Sequence, residues 1–292
     1  MKKFYKYAGI VAGLSFAIGI LFIIIGGIMG AKGIIALSKE NGIEIIKDID
    51  VWQHKDMDME AFESLYIDTK NADVDIMRSK DGKYGVDISL MGDDSSIELE
   101  NKDGVLTLKD KSSQVGFIIN LDIFSWGLAN DNKVIIYVPE GAQFRNVELK
   151  CDAGDIDVDG VENAEVLNIT AAAGDVDVNG GAYKNIKLNV NVGDVTLENV
   201  KVSSALNVGM DVGDLDVIGD LEANIDITLN VGDINIETGV EASNYKYDIK
   251  ASVGEIDVFG HEEEGLDGEM SGNPNGKYTM NIHNDLGSVT VK

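Results

Sequence analysis

Residues 193–217 read GDVTLENVKVSSALNVGMDVGDLDV. Apolar residues alternate before Gly213, at Leu206, Val208, Met210 and Val212, and resume after it at Leu215 and Val217. A period of two belongs to strands, not helices. Related pentapeptides recur along the chain: GDIDV from Gly154, GDVDV from Gly174, GDINI from Gly232 and GEIDV from Gly254. The glycines at 154, 174, 193, 213, 232 and 254 are separated by 20, 19, 20, 19 and 22 residues. A period near 20 residues marks a stacked repeat, in which no unit can bury its apolar face alone.

Each unit reads as a longer strand, a glycine corner, a short strand and a polar return such as DGVENAE. The inward columns are expected at Val147, Leu149, Cys151 and Ala153, at Ile186, Leu188, Val190 and Val192, and at Ile225, Ile227, Leu229 and Val231. The expected fold class is all-β, a β-solenoid of two-strand rungs about 20 residues long.

With Ile156 and Val158 inward, Asp155 and Asp157 both face out. The first acid follows the corner glycine, where its side chain is expected to accept from backbone N–H groups two residues on. The second belongs to a solvated face. Stacking places like charges about 4.8 Å apart, and a hard cation would relieve their repulsion. Asp157, Asp177 and Asp216 are therefore weak calcium candidates, diluted in their column by Thr196 and Asn235. No other cofactor is expected.

An acid pair on one face could serve an inverting glycosidase. A catalytic pair, however, is one local exception in a cleft, whereas these acids recur at nearly every rung. His54, His261 and His283 lie in unrelated segments, and the Gly-Asp steps lead into no helix that could hold a phosphate. No catalytic or cofactor-binding residue is assigned, and the chain is expected not to be an enzyme.

The flanks are less regular. Ala72-Asp73-Val74-Asp75-Ile76 looks like a degenerate unit with alanine at the glycine position. Strand-like runs follow at 85–90, 96–100, 104–108, 115–123 and 133–138, before VPEG at 138–141 breaks the chain. The aromatic-rich stretch FIINLDIFSWGLAND, 117–131, reads as inner-strand core or as a docking loop. HEEEGLDGEMSGNPNG, 261–276, reads as a polar insertion, and Gly287, Val289 and Val291 mark a last unit. The irregular N-terminal part and that last unit are the expected end caps.

The net charge of −27 excludes nucleic acid as a partner, because phosphates need lysine and arginine. Residues 8–30, AGIVAGLSFAIGILFIIIGGIMG, carry no charge and are long enough to cross the roughly 30 Å hydrocarbon layer as a helix. Lys2, Lys3 and Lys6 precede them, which places the N-terminus in the cytoplasm and the acidic body outside. A cleaved signal peptide is the rival reading, against which stand the length of the apolar run and a poor cleavage site. The organisation expected is a cytoplasmic tail at 1–7, a transmembrane helix at 8–30, a juxtamembrane segment at 31–61 and an extracytoplasmic body at 62–292. Within the body, 62–144 is the irregular part, 145–260 the regular repeats, 261–277 the insertion and 278–292 the terminal rung.

The order of these features resembles the adhesin-like β-strand-repeat family, also called toastrack or DUF4097 domains. An apolar N-terminal span, the opening FESLYIDTKNADVDI, the segment VIIYVPEGAQF and then repeated Gly-Asp/Glu-apolar-x-apolar units carry the resemblance over roughly 62–292. It implies a surface protein of Gram-positive bacteria, in some members encoded beside envelope-stress signalling systems, and it brings no catalytic residues. The function expected is a non-enzymatic, single-pass cell-surface scaffold for interaction or sensing, anchored in the bilayer through 8–30, whose partner is an envelope protein or surface polymer. An adhesin-type binder of a surface polymer or host ligand is the alternative, with a glycan-active enzyme behind it.

Overall fold

The computed structural model describes residues 34–38, 42–46, 51–91, 96–111, 118–120 and 132–292. The anchor expected at 8–30 and most of the aromatic stretch 117–131 lie outside them. Among the described residues no helix is long and apolar enough to cross a membrane. A small antiparallel sheet joins Ile34–Ser38 to Gly42–Ile46 and to Ile118–Asn120, so strands occupy part of the segment expected to be juxtamembrane.

In the larger unit the repeats pair in parallel and in register. Gln143–Ala153 pairs with Asn163–Ala173, which pairs with Ala182–Val192. That strand pairs with the second half of Val195–Val212, which in turn pairs with Asn224–Val231. The short strands after the corners stack likewise, as in Asp157↔Asp177 and Leu215↔Ile234. The degenerate unit is a full coil: Ser64–Asn71 and Asp73–Arg78 pair with Gln143–Ala153 and Ile156–Val158. Between the two lies an excursion whose described strands Gly85–Met91, Ile97–Lys102, Val105–Asp110 and Lys133–Val138 build the near end.

Two long strands run unbroken through bends: Val195–Val212, with 18 residues, through the return, and Tyr245–Val258, with 14, through the Gly254 corner. Hydrogen bonding therefore passes from one face to the next, and 20 strands form one sheet closed around a single core. The fold is all-β, as expected, but the expected β-solenoid of two-strand rungs is corrected: the stacked coils form one closed sheet. Ile186, Leu188 and Val190, Leu206, Val208 and Met210, and their equivalents fill its interior. The returns contribute Val161, Tyr183, Val202 and Leu221 from the remaining side.

The alternation slips just before each corner. Asn191 and Val192 are both exposed, and the pairing steps from Val190↔Met210 to Val192↔Val212. Val192, Val212 and Val231 therefore point outward, where period-two counting places them inward. The corner glycine, at φ between 134° and 153° along the column from Gly154 to Gly254, re-aims the chain so that the next apolar residue faces the core again.

The stacking order departs from the sequence order at the far end. Asn224–Val231 pairs not with Tyr245–Val258 but with Tyr278–Leu286, and Tyr278–Leu286 pairs with Tyr245–Val258 on its other side. The last unit is thus an internal coil, not a cap. Buried Asn284 stands in the core column between Leu229 and Ala251, where it donates to the carbonyls of Gly232 (2.9 Å) and Ser288 (3.4 Å). A buried polar group that finds its partners in only one alignment specifies register.

The true cap is the segment read as an insertion. His261–Gly272 is a strand, antiparallel to Tyr245–Val258, and exposed Glu262, Glu263 and Glu269 charge this outer strand. Charge on an edge strand discourages pairing with other chains, which explains how so polar a stretch can be a strand. At the near end Ile97–Lys102 and Gly85–Met91 pair antiparallel with Val105–Asp110 and Lys133–Val138, and Val51–Asp58 covers Gly85–Met91.

The inserted order is directly testable with cysteine pairs. Thr228, His283 and Lys250 are exposed and share one register row, His283 lying between the other two. Paired strands hold Cα atoms within disulfide range, whereas positions two strands apart exceed the roughly 7 Å limit. Under mild oxidation, Thr228→Cys/His283→Cys is expected to cross-link and Thr228→Cys/Lys250→Cys is not, read by mass spectrometry of peptides. The reverse result would restore sequence order.

Candidate functional site: the carboxylate columns

The corner aspartates form a continuous ladder. Oδ1 of Asp73 accepts from the backbone N–H of Asp155 at 3.0 Å, Asp155 from Asp175 at 2.9 Å, and Asp175 from Asp194 at 2.9 Å. Asp194 accepts from Asp214 at 2.9 Å, Asp214 from Asp233 at 2.8 Å and Asp233 from Ser288 at 2.7 Å. The expected bond within the same turn is therefore corrected. Each carboxylate instead ties its coil to the next by accepting from the neighbouring corner N–H. A charge-assisted bond of this kind is stronger than a neutral one and offsets part of the repulsion down the row.

The second column runs Asp75, Asp157, Asp177, Thr196, Asp216, Asn235, Thr290 and Asp257 in register. Of the calcium candidates, Asp157 and Asp177 are direct neighbours, while Asp216 is separated from Asp177 by Thr196. Asp216 Oδ1 also accepts from Asn235 Nδ2 at 3.0 Å. Beside Asp157 lies Asp75, buried and paired with Lys133 Nζ at 2.7 Å. Among the described residues no group of three or more His, Cys, Asp or Glu side chains could hold a metal ion.

Burial lifts the Asp157 carboxyl above the ordinary carboxylate range, and the charges of Asp75 and Asp177 add to this while Lys133 opposes it. The Lys133 ammonium is raised in turn by its bond to Asp75. Burial is thus the first cause at Asp157, and the stacked like charges reinforce it.

A cleft of about 310 Å³ near the bulge in Val51–Asp58 is lined by Asp56, Asp58, Asp81, Lys83 and Tyr137. Two of its acids are partnered: Asp58 with Lys83 Nζ (2.9 Å) and Asp81 with the Lys83 N–H (3.1 Å). Nearby Asp87 takes the Asp56 N–H (2.6 Å) and the Tyr137 hydroxyl (3.0 Å). His54, His261 and His283 are exposed on three separate strands. Cys151 is a buried core residue whose thiol donates to the Ala72 carbonyl at 3.3 Å, and burial pushes its pKa up. The inter-coil ladder was missed in the sequence because only the stacked register brings residues 19 or 20 apart together.

The two columns predict opposite responses. Asp194→Ala removes the acceptor of the Asp214 N–H and should lower stability by about 1–3 kcal/mol, with Asp194→Asn retaining part of the loss. Asp157→Asn should raise the melting temperature at pH 7. A carboxyl whose folded pKa is raised destabilises the fold above that pKa, and the penalty is relieved as pH falls through it. The gain from Asp157→Asn should accordingly shrink towards pH 4 in thermal melts. A constant gain across that range would contradict the like-charge account.

No curated protein matches the chain. Three solved structures share low identity with it. One from Bacteroides fragilis, described as a "putative adhesin", is 16% identical, with 85% of this chain and 98% of that one covered and a TM-score of 0.40. Another so described, from Parabacteroides distasonis, is 11% identical, with 84% and 97% covered and a TM-score of 0.42. A "putative cell adhesion protein" from Clostridium sporogenes is 15% identical, with 84% and 99% covered and a TM-score of 0.35. The sequence profile of Toastrack DUF4097 matches residues 62–292, the whole run from the degenerate first coil to the terminal unit, and the chain belongs to that family.

Proposed function

We propose that the protein is a non-enzymatic, membrane-anchored cell-surface scaffold that presents its acidic coils to an envelope partner. The observation that carries this reading is the use made of the acids. They recur coil after coil, and the corner column spends one oxygen of each carboxylate on the neighbouring coil. Such groups build a stiff, charged surface and do not converge on a reacting atom. The apolar, uncharged run at 8–30 behind three lysines supports a single-pass anchor with the body outside the cell. A role in envelope-stress sensing is the expectation that the family resemblance brings. Binding of a surface polymer or host ligand is the second reading, and it would use the same outward columns.

Protease added to intact cells should remove the region after Gly33 and leave an anchored fragment. A protected body, or a mature N-terminus near Lys32, would overturn the topology. Cross-linking on cells separates the two functional readings: a membrane-protein adduct supports the scaffold, and retention on purified cell-wall polymer supports the adhesin.

A further inference from the structure

The outward residue before each corner forms a column of its own. Val192, Val212, Val231, Leu286 and Val253 follow one another in register across five coils, each 41–52% exposed. Leu266, 76% exposed on the capping strand, pairs with Val253 and extends the row. The fold does not require large aliphatic side chains here. The equivalent position is Asn71 in the first coil, Ala153 in the second and Ala173 in the third. The valines and leucines are thus confined to the far half of the stack. A bounded row of exposed aliphatic residues on an otherwise strongly polar surface marks an interaction site.

Charge surrounds the row. Asp211 and Asp285 immediately precede two of its members, and Asp194, Asp214, Asp233 and Glu255 follow just beyond the corner glycines, all of them exposed. A second copy would set these acids against their own counterparts, so self-association through this face is opposed. An anionic lipid surface is opposed for the same reason.

Spacing selects the shape of the partner. Successive members of the row are about 4.8 Å apart along the stack. Apolar residues on one face of an amphipathic helix recur every 3–4 residues, an advance of about 5.2 Å. An extended strand laid along the same line presents a side chain only every ~6.7 Å and falls out of step by the third coil. We infer that this row is the docking site for a basic amphipathic α-helix of a partner protein. The helix would lie along the stack with leucine-like residues on the row and lysine or arginine on both flanks. About 13 residues span the five coils. This assignment deepens the scaffold reading by naming the partner's chemistry, and that reading survives if the partner binds elsewhere.

The test uses the full chain in zwitterionic lipid nanodiscs and a labelled 18-residue peptide with leucines on one helical face and lysines flanking them. Binding is followed by fluorescence anisotropy, with empty discs as the blank. A second peptide of identical composition distributes its leucines around the helix. The expected result is at least tenfold weaker binding both for the redistributed peptide and for Val212→Ser/Val231→Ser/Leu286→Ser, with the melting temperature of that variant unchanged. Should the triple variant melt lower, Val212→Ser alone supplies the comparison, with an expected loss of several-fold. Equal binding by the two peptides, or by variant and parent, would overturn the proposal and leave only charge attraction. A dimer that the triple variant dissociates would overturn it in favour of a second copy.

Discussion

Along its paired strands each coil comes especially close to the next at the corner glycine. A Cβ added to Gly213 would lie 2.0 Å from the carbonyl oxygen of Gly193, and one on Gly232 would lie 1.9 Å from that of Gly213. The same contact recurs from Gly174 to Gly287 and Gly254, in stacking order and not in chain order. No side chain fits, and the backbone there holds a φ that L-residues rarely adopt. Removing the side chain lets the corners stack closely enough for the next N–H to reach the preceding carboxylate. The aspartate ladder, the parallel pairing and the closed core all depend on that approach.

The first coil shows how the constraint relaxes at an end. Ala72 occupies the corner position and lacks the positive φ of the glycines, yet Asp73 still accepts from the Asp155 N–H. The coil on its other side is assembled differently, from Val105–Asp110 and Lys133–Val138, strands separated in sequence, and the Asp73 N–H there donates to the Asn132 carbonyl at 3.0 Å. At the far end the ladder passes to Ser288 and the acid becomes Glu255. The corner chemistry therefore changes where the chain leaves sequence order.

Much of this was legible in the sequence, because the inward residues obey a local rule. Period-two alternation identified Ile156, Val158, Leu206, Val208 and Met210 as core, and the unit at Ala72 could be found by its Asp-Val-Asp-Ile pattern. What escaped was non-local or lay where local rules change phase. Alternation carried through to Val192, Val212 and Val231 put them inside, although the approach to the corner turns them out. Polarity at 261–276 suggested an insertion outside the repeat, since an edge strand shares the demand for charge of a solvated excursion. The position of the last coil was signalled only faintly, by the 22-residue step before Gly254, by Ser288 in place of an acid and by a buried asparagine among leucines and valines. For the carboxylates, outward orientation followed from alternation, but their partners depended on stacking.

The contact at the corner glycine is the centre of this account, and a paired alanine substitution measures it most directly. Gly213 and Gly209 lie four residues apart in the same region, but an added Cβ at Gly209 would meet only Asn189 Oδ1, at an ordinary 3.6 Å. Thermal or denaturant unfolding of the purified chain should show Gly213→Ala losing cooperative folding or at least about 3 kcal/mol, in the range of severe backbone and packing lesions. Gly209→Ala should be neutral or slightly stabilising, since it only restricts the unfolded chain. Equal stability of the two variants would contradict the claim that side-chain-free corners hold the coils together.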